Sequence, residues 1–406
     1  MGVSPRKPDF IVTFSPVTPI FMGGAEPNER AEMRLASIKG LLRFWYRAVD
    51  PEYRTHEGTI FGGIGKGLGQ ASFLLSCPAW LTDDTAWLPD TDLRLFDRGH
   101  GPSTRNGLRY IGYSLRLGQN DRKSIRASGI PGRPAPTVRV DHHWRPGPRS
   151  ERAAKALVAS WWLLCTLGGL GSRCRRGLGS VSLDRWSGED DLTSQLPLPS
   201  GAKDLAEWRQ RVADGLRVIL REWFPGPRSG TPSHSRFPDS PEIRVAESGG
   251  DPWNWKQALE RGGRLLQDFR VRSAPDYADV KTWLLAPVPG PPLMKAPERA
   301  AFGLPLTWRY SKVRATASVL GWSATHGKAL DRMASPLWLR VAKVGGGHYP
   351  LFLLLDTPFL GSDGLVLVTK TVQGASPEQH PHPGDGVLKG FMTYLGTKPD
   401  VRRVVL

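Results

Sequence analysis

Cysteine is scarce in this chain: three residues in 406, Cys77, Cys165 and Cys174. None forms a Cys-Xaa-Xaa-Cys pair, which argues against a disulfide framework and against a cysteine-based zinc site. Reduced thiols fit a cytoplasmic protein. No apolar run approaches the ~20 residues that span a bilayer. The N-terminus, MGVSPRKPDF, lacks the apolar core of a signal peptide, and Arg6 stands where a myristoylation motif needs Ser or Thr. No membrane partner is therefore expected. Nucleotide-cofactor motifs are missing too. In FGGIGKGLG, residues 61–69, Lys66 is followed by Gly67, so it is not a Walker A loop, and the dinucleotide spacing is broken. A loop touching another chain or an RNA backbone suits it better, and no cofactor is expected.

Acidic residues are also in deficit. There are 38 Asp plus Glu against 55 Lys plus Arg, for a net charge of +17. Such an excess favours a polyanionic partner, nucleic acid first, although a solvated basic surface would look the same in composition. Hydrophobic residues make up 39% and tryptophan alone counts 15, so the chain has material for real cores. The 46 glycines and 36 prolines predict many turns and long loops. Domains of ~100–200 residues imply two here, read as 1–200 and 201–406.

Local patterns place the elements. FIVTF, residues 10–14, reads as a strand. After the loop TPIFMGGAEPNER, Ser37 is a plausible N-cap for a helix, because Ile38, Leu41, Leu42, Trp45 and Val49 share one helical face. Residues 151–167 predict a second helix, apolar nearly all round in its C-terminal half and hence buried. Gly168 and Gly169 end it, and VSL at 181–183 enters the core as a strand. With short strands around 71–75 and 108–117, the order suits an α+β sandwich containing a β-α-β-β-α-β ferredoxin-like unit with large insertions. Residues 225–241, rich in Pro, Ser and Gly, are an inter-domain linker or a long functional loop. Helices at 204–223 and 254–270 flank them. Strands follow at 336–343, 350–355 and 365–372. No internal repeat is visible. The Trp253/Trp255 pair either stacks bases or fills a core, with core filling the safer assumption.

Four features bear on chemistry. The stretch LGGLGSRCRRGLGSV, residues 167–181, joins five glycines to Arg173, Arg175 and Arg176. Glycine allows close backbone approach, successive amides can form an anion-binding nest, and guanidiniums add bidentate phosphate donors. Gly169, Gly171 and Gly177 are the candidate cradle residues; a plain helix-to-strand connection is the alternative. RGLGSVSL, residues 176–183, resembles an RNA-recognition-motif signature, but Leu178, Ser180 and Leu183 stand where aromatics would stack bases. Phosphate contact without base reading follows. Second, Lys39, Arg43 and Arg47 are spaced by four and share a helix face, with Arg34 just upstream. They are either a phosphate-tracking stripe or a solvated face. Third, Asp141-His142-His143 has no acidic cluster to complete a two-metal site. Fourth, His56-Glu57 has acid/base composition but reads as a surface turn.

Residues 18–48, TPIFMGG…EMRLASIKGLLRFWYRA, resemble the N-terminal signature of RAMP subunits of type III-B (Cmr) CRISPR effector complexes, above all the subunit at the head of the complex. IFGG at 60–63 follows in order, and the 167–181 stretch resembles the glycine-rich loop that defines RAMP proteins. AFGLPL, 301–306, and RMASPLWLRV, 332–341, resemble the same subunit's C-terminal part; 185–255 match nothing. The resemblance implies two ferredoxin-like (RRM-like) domains in tandem, no catalysis by this chain, and an antiviral role in the cytoplasm. It implies contact with the 3′ part of the guide RNA, capture of target RNA, and neighbouring Cmr subunits as partners. Mapped residue by residue, the RNA contacts are Lys39, Arg43, Arg47, Arg173, Arg175 and Arg176. The alternative is a RAMP-type, metal-independent endoribonuclease acting on CRISPR precursor RNA, with His56 or His142 as catalyst.

Overall fold

A computed structural model describes residues 6–23, 31–78, 106–112, 116–117, 120–121, 136–147, 149–272, 276–310, 315–323, 325–330, 332–359 and 364–406. The chain opens with β1 (Phe10–Pro16), whose Phe10, Val12 and Phe14 are fully buried. Helix α1 (Leu35–Val49) follows, then α2 (Tyr53–Phe61) and β2 (Phe73–Ser76). α1 begins three residues before the predicted start. Arg34, not Ser37, holds the N-cap position and makes no side-chain cap, because Leu35 already packs on the core and prolongs the helix. Of the loop between β1 and α1, residues 24–30 lie outside the described residues.

Residues 107–112 form a short helix, α3 (Gly107–Gly112), and not the strand expected there. The Glu260 carboxylate accepts from the amides of Gly107 and Leu108 at 3.0 and 2.9 Å, so a side chain remote in sequence caps the first turn. β3 (Val138–Trp144), α4 (Glu151–Thr166) and β4 (Val181–Ser187) complete the first unit. Ser150 caps α4 by accepting from the Ala153 amide, and its Trp161 and Trp162 are wholly buried. The sheet is antiparallel throughout, in the order β2-β3-β1-β4. α1 and α4 pack together against it.

α5 (Leu205–Arg217), continued by a π-helical turn to Trp223, joins the first core through Trp208, Val212, Leu216 and Ile219. The Pro/Ser/Gly stretch then runs as a strap over the C-terminal end of α1. Phe237 is buried and its amide bonds to Ala48, while Arg236 and Asp356 exchange backbone bonds. It is a packed loop rather than a free linker.

The second unit starts with β5 (Glu242–Ala246) and α6 (Trp255–Arg272). α7 (Asp276–Leu285), β6 (Leu306–Tyr310), β7 (Ala315–Ser323) and β8 (Lys328–Leu330) intervene before β9 (Leu337–Val344) and β10 (Gly347–Leu354). β11 (Leu365–Lys370) and β12 (Glu378–Pro381) precede α8 (Gly386–Gly396) and β13 (Val401–Arg403). β9-β10-β5-β13 form an antiparallel sheet, and the inserted strands form a separate five-stranded sheet. Without the insertions this unit is strand, helix, two strands, helix, strand. That is the order of the first unit, with the same spatial arrangement of strands. Trp255 is buried and Trp253 packs partly on the second core, as read from sequence. None of the described helices is long and apolar enough to cross a membrane.

Candidate nucleic-acid interface

The N-terminal signature segment and the glycine loop lie against each other. Thr18 Oγ1 donates to the Gly177 carbonyl at 2.8 Å and accepts from the Ser180 amide at 2.9 Å. The Ser172 amide donates to the Phe21 carbonyl and the Gly179 amide to that of Pro19. The glycines permit this contact. A Cβ on Gly171, whose φ is +77°, would sit 2.5 Å from the Phe21 oxygen, and one on Gly179, with φ +70°, would overlap the Leu170 carbonyl. Gly169 and Gly177 are buried in the same packing. Part of the loop's glycine content is therefore demanded by the protein's own backbone. Arg173 takes a left-handed conformation at φ +63°, uncommon without glycine.

The loop also joins the two units. The Leu339 amide donates to the Arg175 carbonyl at 3.1 Å, and Arg176 bridges Leu339 in parallel. Ser180 Oγ accepts from the Val341 amide. Arg175 and Arg176 leave this bridge towards different surroundings. The Arg175 guanidinium lies 5.2 Å from the Phe44 ring centroid and 4.6 Å from that of Trp338, and donates to the Ser335 carbonyl. Arg176 faces Arg270 and Tyr110. Both are half-buried. Burial pushes each guanidinium below its ordinary value, and the Arg270 charge adds to this at Arg176. No carboxylate among the described residues forms an ion pair with either. A half-buried cation without a counter-charge is costly, and a bound anion removes that cost.

The α1 cations differ. Arg43 Nε donates to Glu57 Oε2 at 3.1 Å, and Arg47 grips both Glu57 oxygens. Burial raises the Glu57 carboxyl, but the bonds from Arg47 and Arg43 outweigh it and hold it below its usual range. The predicted open stripe is thus partly neutralised, because α2 packs on α1 and brings Glu57 beneath it. Lys39 sits 5.7 Å from the Phe73 ring. Its ammonium is pushed down by burial and by the nearby Arg43 and Arg145 charges. Arg34 is exposed.

His142, a candidate catalyst in the enzymatic alternative, is a core residue. Its Nδ1–H donates to the Phe10 carbonyl at 3.2 Å, and Nε2 accepts from Trp161 Nε1–H at 2.7 Å. With both nitrogens engaged and no exposure, the ring is neutral; burial brings its pKa down to about 3. Asp141 is paired with Arg139. His56 stays at the surface, 3.8 Å from Glu52. Among the described residues no group of three His, Cys, Asp or Glu side chains is placed to hold a metal.

Composition did not single out the side chains that surround Arg175. Phe44 lies off the apolar face of α1. His234 is carried by the strap, and its ring centroid is 5.1 Å from that of Phe44. Burial lowers its pKa, as do the Arg47 and Arg175 charges. The signal available for His234 was the strap itself, a long loop with functional composition. AFGLPL and RMASPLWLRV supply the rest of this neighbourhood, since Leu304 and Met333 exchange backbone bonds at 2.9 and 3.1 Å.

Residues 13–182, which take in most of the first βαββαβ unit and the glycine-rich loop after its second helix, match the model of the RAMP superfamily. The chain is also 25% identical over 344 residues to CRISPR system Cmr subunit Cmr1-1 of Pyrococcus furiosus, which covers 79% of this chain and 80% of that protein. The crystal structure of Cmr1 from Pyrococcus furiosus in its apo form superimposes with a TM-score of 0.54 over 98% of both chains, at 19% identity, so the two share a fold. A chain of the type III-B Cmr-beta complex bound to cognate target RNA and AMPPnP matches over 86% of this chain and 95% of that chain, with 11% identity and a TM-score of 0.47.

Proposed function

We propose that this chain is a non-catalytic RNA-binding subunit of a type III-B CRISPR ribonucleoprotein, cytoplasmic, contacting the 3′ part of the guide RNA and helping to capture target RNA beside other Cmr subunits. The observation that carries the reading is the pair Arg175 and Arg176: adjacent, half-buried, and without a carboxylate partner among the described residues. The net charge of +17 and the curated relative named as a Cmr subunit support it. Phosphate contact falls mainly on the glycine loop, with Arg173 beside the pair. Lys39, Arg43, Arg47 and Arg34 contribute a secondary basic surface. The chain divides into ferredoxin-like (RRM-like) domains at 1–200 and 201–406. The packing of α5 on the first core makes residues 205–223 the segment that ties the halves together.

The test is single-stranded RNA binding as a function of salt. Arg173→Ala/Arg176→Ala weakens binding whatever the base sequence, and each lost phosphate contact makes the log-salt slope shallower by ~0.7. An unchanged slope rejects the loop as a phosphate site. Specific cleavage of precursor RNA in EDTA would reject the non-catalytic reading.

A further inference from the structure

Beside Arg175 lies a cleft of about 630 Å³, floored by Phe44 and Met333 and lined by Arg175, His234, His326 and Arg332. Serine and threonine hydroxyls complete its wall, and no Asp or Glu among the described residues lines it. Three parts of the chain build it: α1 with the glycine loop, the strap carrying His234, and the edge of the inserted sheet, where His326 lies between β7 and β8 and Arg332 just after β8. Its volume is that of a small-ligand site, within the range of ~300–1,000 Å³ usual for such sites. Its chemistry is one-sided. Two guanidiniums and two imidazoles converge, and none of the described carboxylates pairs with Arg175 or Arg332. Arg175 is fixed by Trp338, Phe44 and the Ser335 carbonyl, so its fork is preorganised rather than mobile. His326 is oriented by a 3.0 Å bond between its Nδ1 and Ser323 Oγ, and His234 by a 2.8 Å bond between its Nδ1 and the Ser235 carbonyl.

We infer that this cleft is a binding site for one nucleoside phosphate of an RNA strand, its phosphate held by Arg175 and Arg332 and its base received by Phe44, His234 and His326. The inference rests on the RNA-binding reading above and sharpens it. Cations alone would suit any anion. The aromatic floor and the imidazoles add a stacking surface and hydrogen-bonding edges, the features by which proteins hold unstacked bases of single-stranded RNA. The site would also restore base contact to a glycine loop that has no stacking aromatics of its own. The aromatic comes from the neighbouring helix instead.

The experiment uses the full chain and the variant His326→Ala/Arg332→Ala. Both residues are exposed, and neither belongs to the loop that joins the units. Binding is measured to a uridine-rich single-stranded RNA and, separately, to adenosine 5′-monophosphate, with thermal unfolding as a control on folding. Losing a charge-assisted contact, worth ~1.5–3 kcal/mol, corresponds to weaker RNA binding by about tenfold or more. That loss, with unchanged unfolding, supports the site. Loss of mononucleotide binding with RNA affinity intact supports a nucleoside phosphate site whose ligand is free nucleotide rather than RNA. If the variant binds both probes as the parent does, the cleft is not the site and the inference falls, while RNA binding by the loop stands. If the parent binds no RNA and no mononucleotide, both readings fall. As a second readout, 4-thiouridine in the same RNA crosslinks within residues 325–334 or at the strap; crosslinks confined to other segments overturn the proposal.

Discussion

The guanidinium of Arg175 lies 4.6 Å from the ring centroid of Trp338, so the glycine loop of the first unit is clamped on a strand of the second. Trp338 is 1% exposed and Arg175 is half-buried, so the contact is both structural and electrostatic. Cation–π contacts of this kind are worth ~0.5–2 kcal/mol. Trp338→Leu removes the platform and leaves part of a cavity. The expected cost is ~3 kcal/mol, in the range for large core truncations, with weaker RNA binding among the molecules that remain folded. Urea denaturation and a binding titration check the two effects. Unchanged RNA affinity would show that Arg175 needs no support from Trp338.

Glu57 holds Arg43 and Arg47 at once. Glu57→Gln releases both cations from their counter-charge. RNA affinity at low salt should rise, and the log-salt slope should steepen by ~0.7 for each arginine that gains a phosphate. Stability should fall by ~1–3 kcal/mol, because three charge-assisted bonds are weakened. A drop in stability with no change in slope would make the α1 arginines purely structural.

Glycines at similar dihedral angles differ in what surrounds them. Gly179→Ala forces a methyl into the Leu170 carbonyl at φ +70°, and the variant should not fold stably. Gly67→Ala, at φ +80° with nothing within 4 Å, should cost only the left-handed penalty of ~1–2 kcal/mol. Comparable unfolding midpoints for the two variants would refute this account of the loop.

The buried neutral His142 links stability to pH. Its folded pKa, about 3, lies below the ordinary 6.5, so between these values the unfolded chain binds more protons. The contribution is complete above pH 6.5 and is lost as pH falls towards 3. For one such group the loss reaches about 2 kcal/mol by pH 5. The stability gap between the parent and His142→Gln should therefore narrow by about that amount from pH 7 to pH 5. A constant gap would show that His142 is not held neutral.

Much of the fold was legible locally. The strand pattern of FIVTF, the apolar face of α1, the apolar C-terminal half of α4 and the glycines after it are each local in sequence and became the elements they suggested. Residues 107–112 were misread because their helix depends on a cap from Glu260, about 150 residues away. The repeated strand order of the two units left no trace in the sequence, because a shared topology needs only similar apolar spacing, and two long insertions separate the second unit's parts.

By itself the sequence determined the charge of the chain and the segment to suspect: an excess of positive charge, which favours a polyanionic partner, and a glycine loop bearing three arginines. These depend on composition and spacing alone. Only the tertiary structure decided which cations have counter-charges. Arg43 and Arg47 meet Glu57 because α2 folds onto α1, whereas Arg175 and Arg176 meet aromatic rings and another arginine because the loop lies against β9 and α6. It also gathered Phe44, His234, His326 and Arg332 around one cleft, from segments up to about 290 residues apart. Electrostatic and stacking partners are chosen by distances in space, and chain spacing carries no record of them.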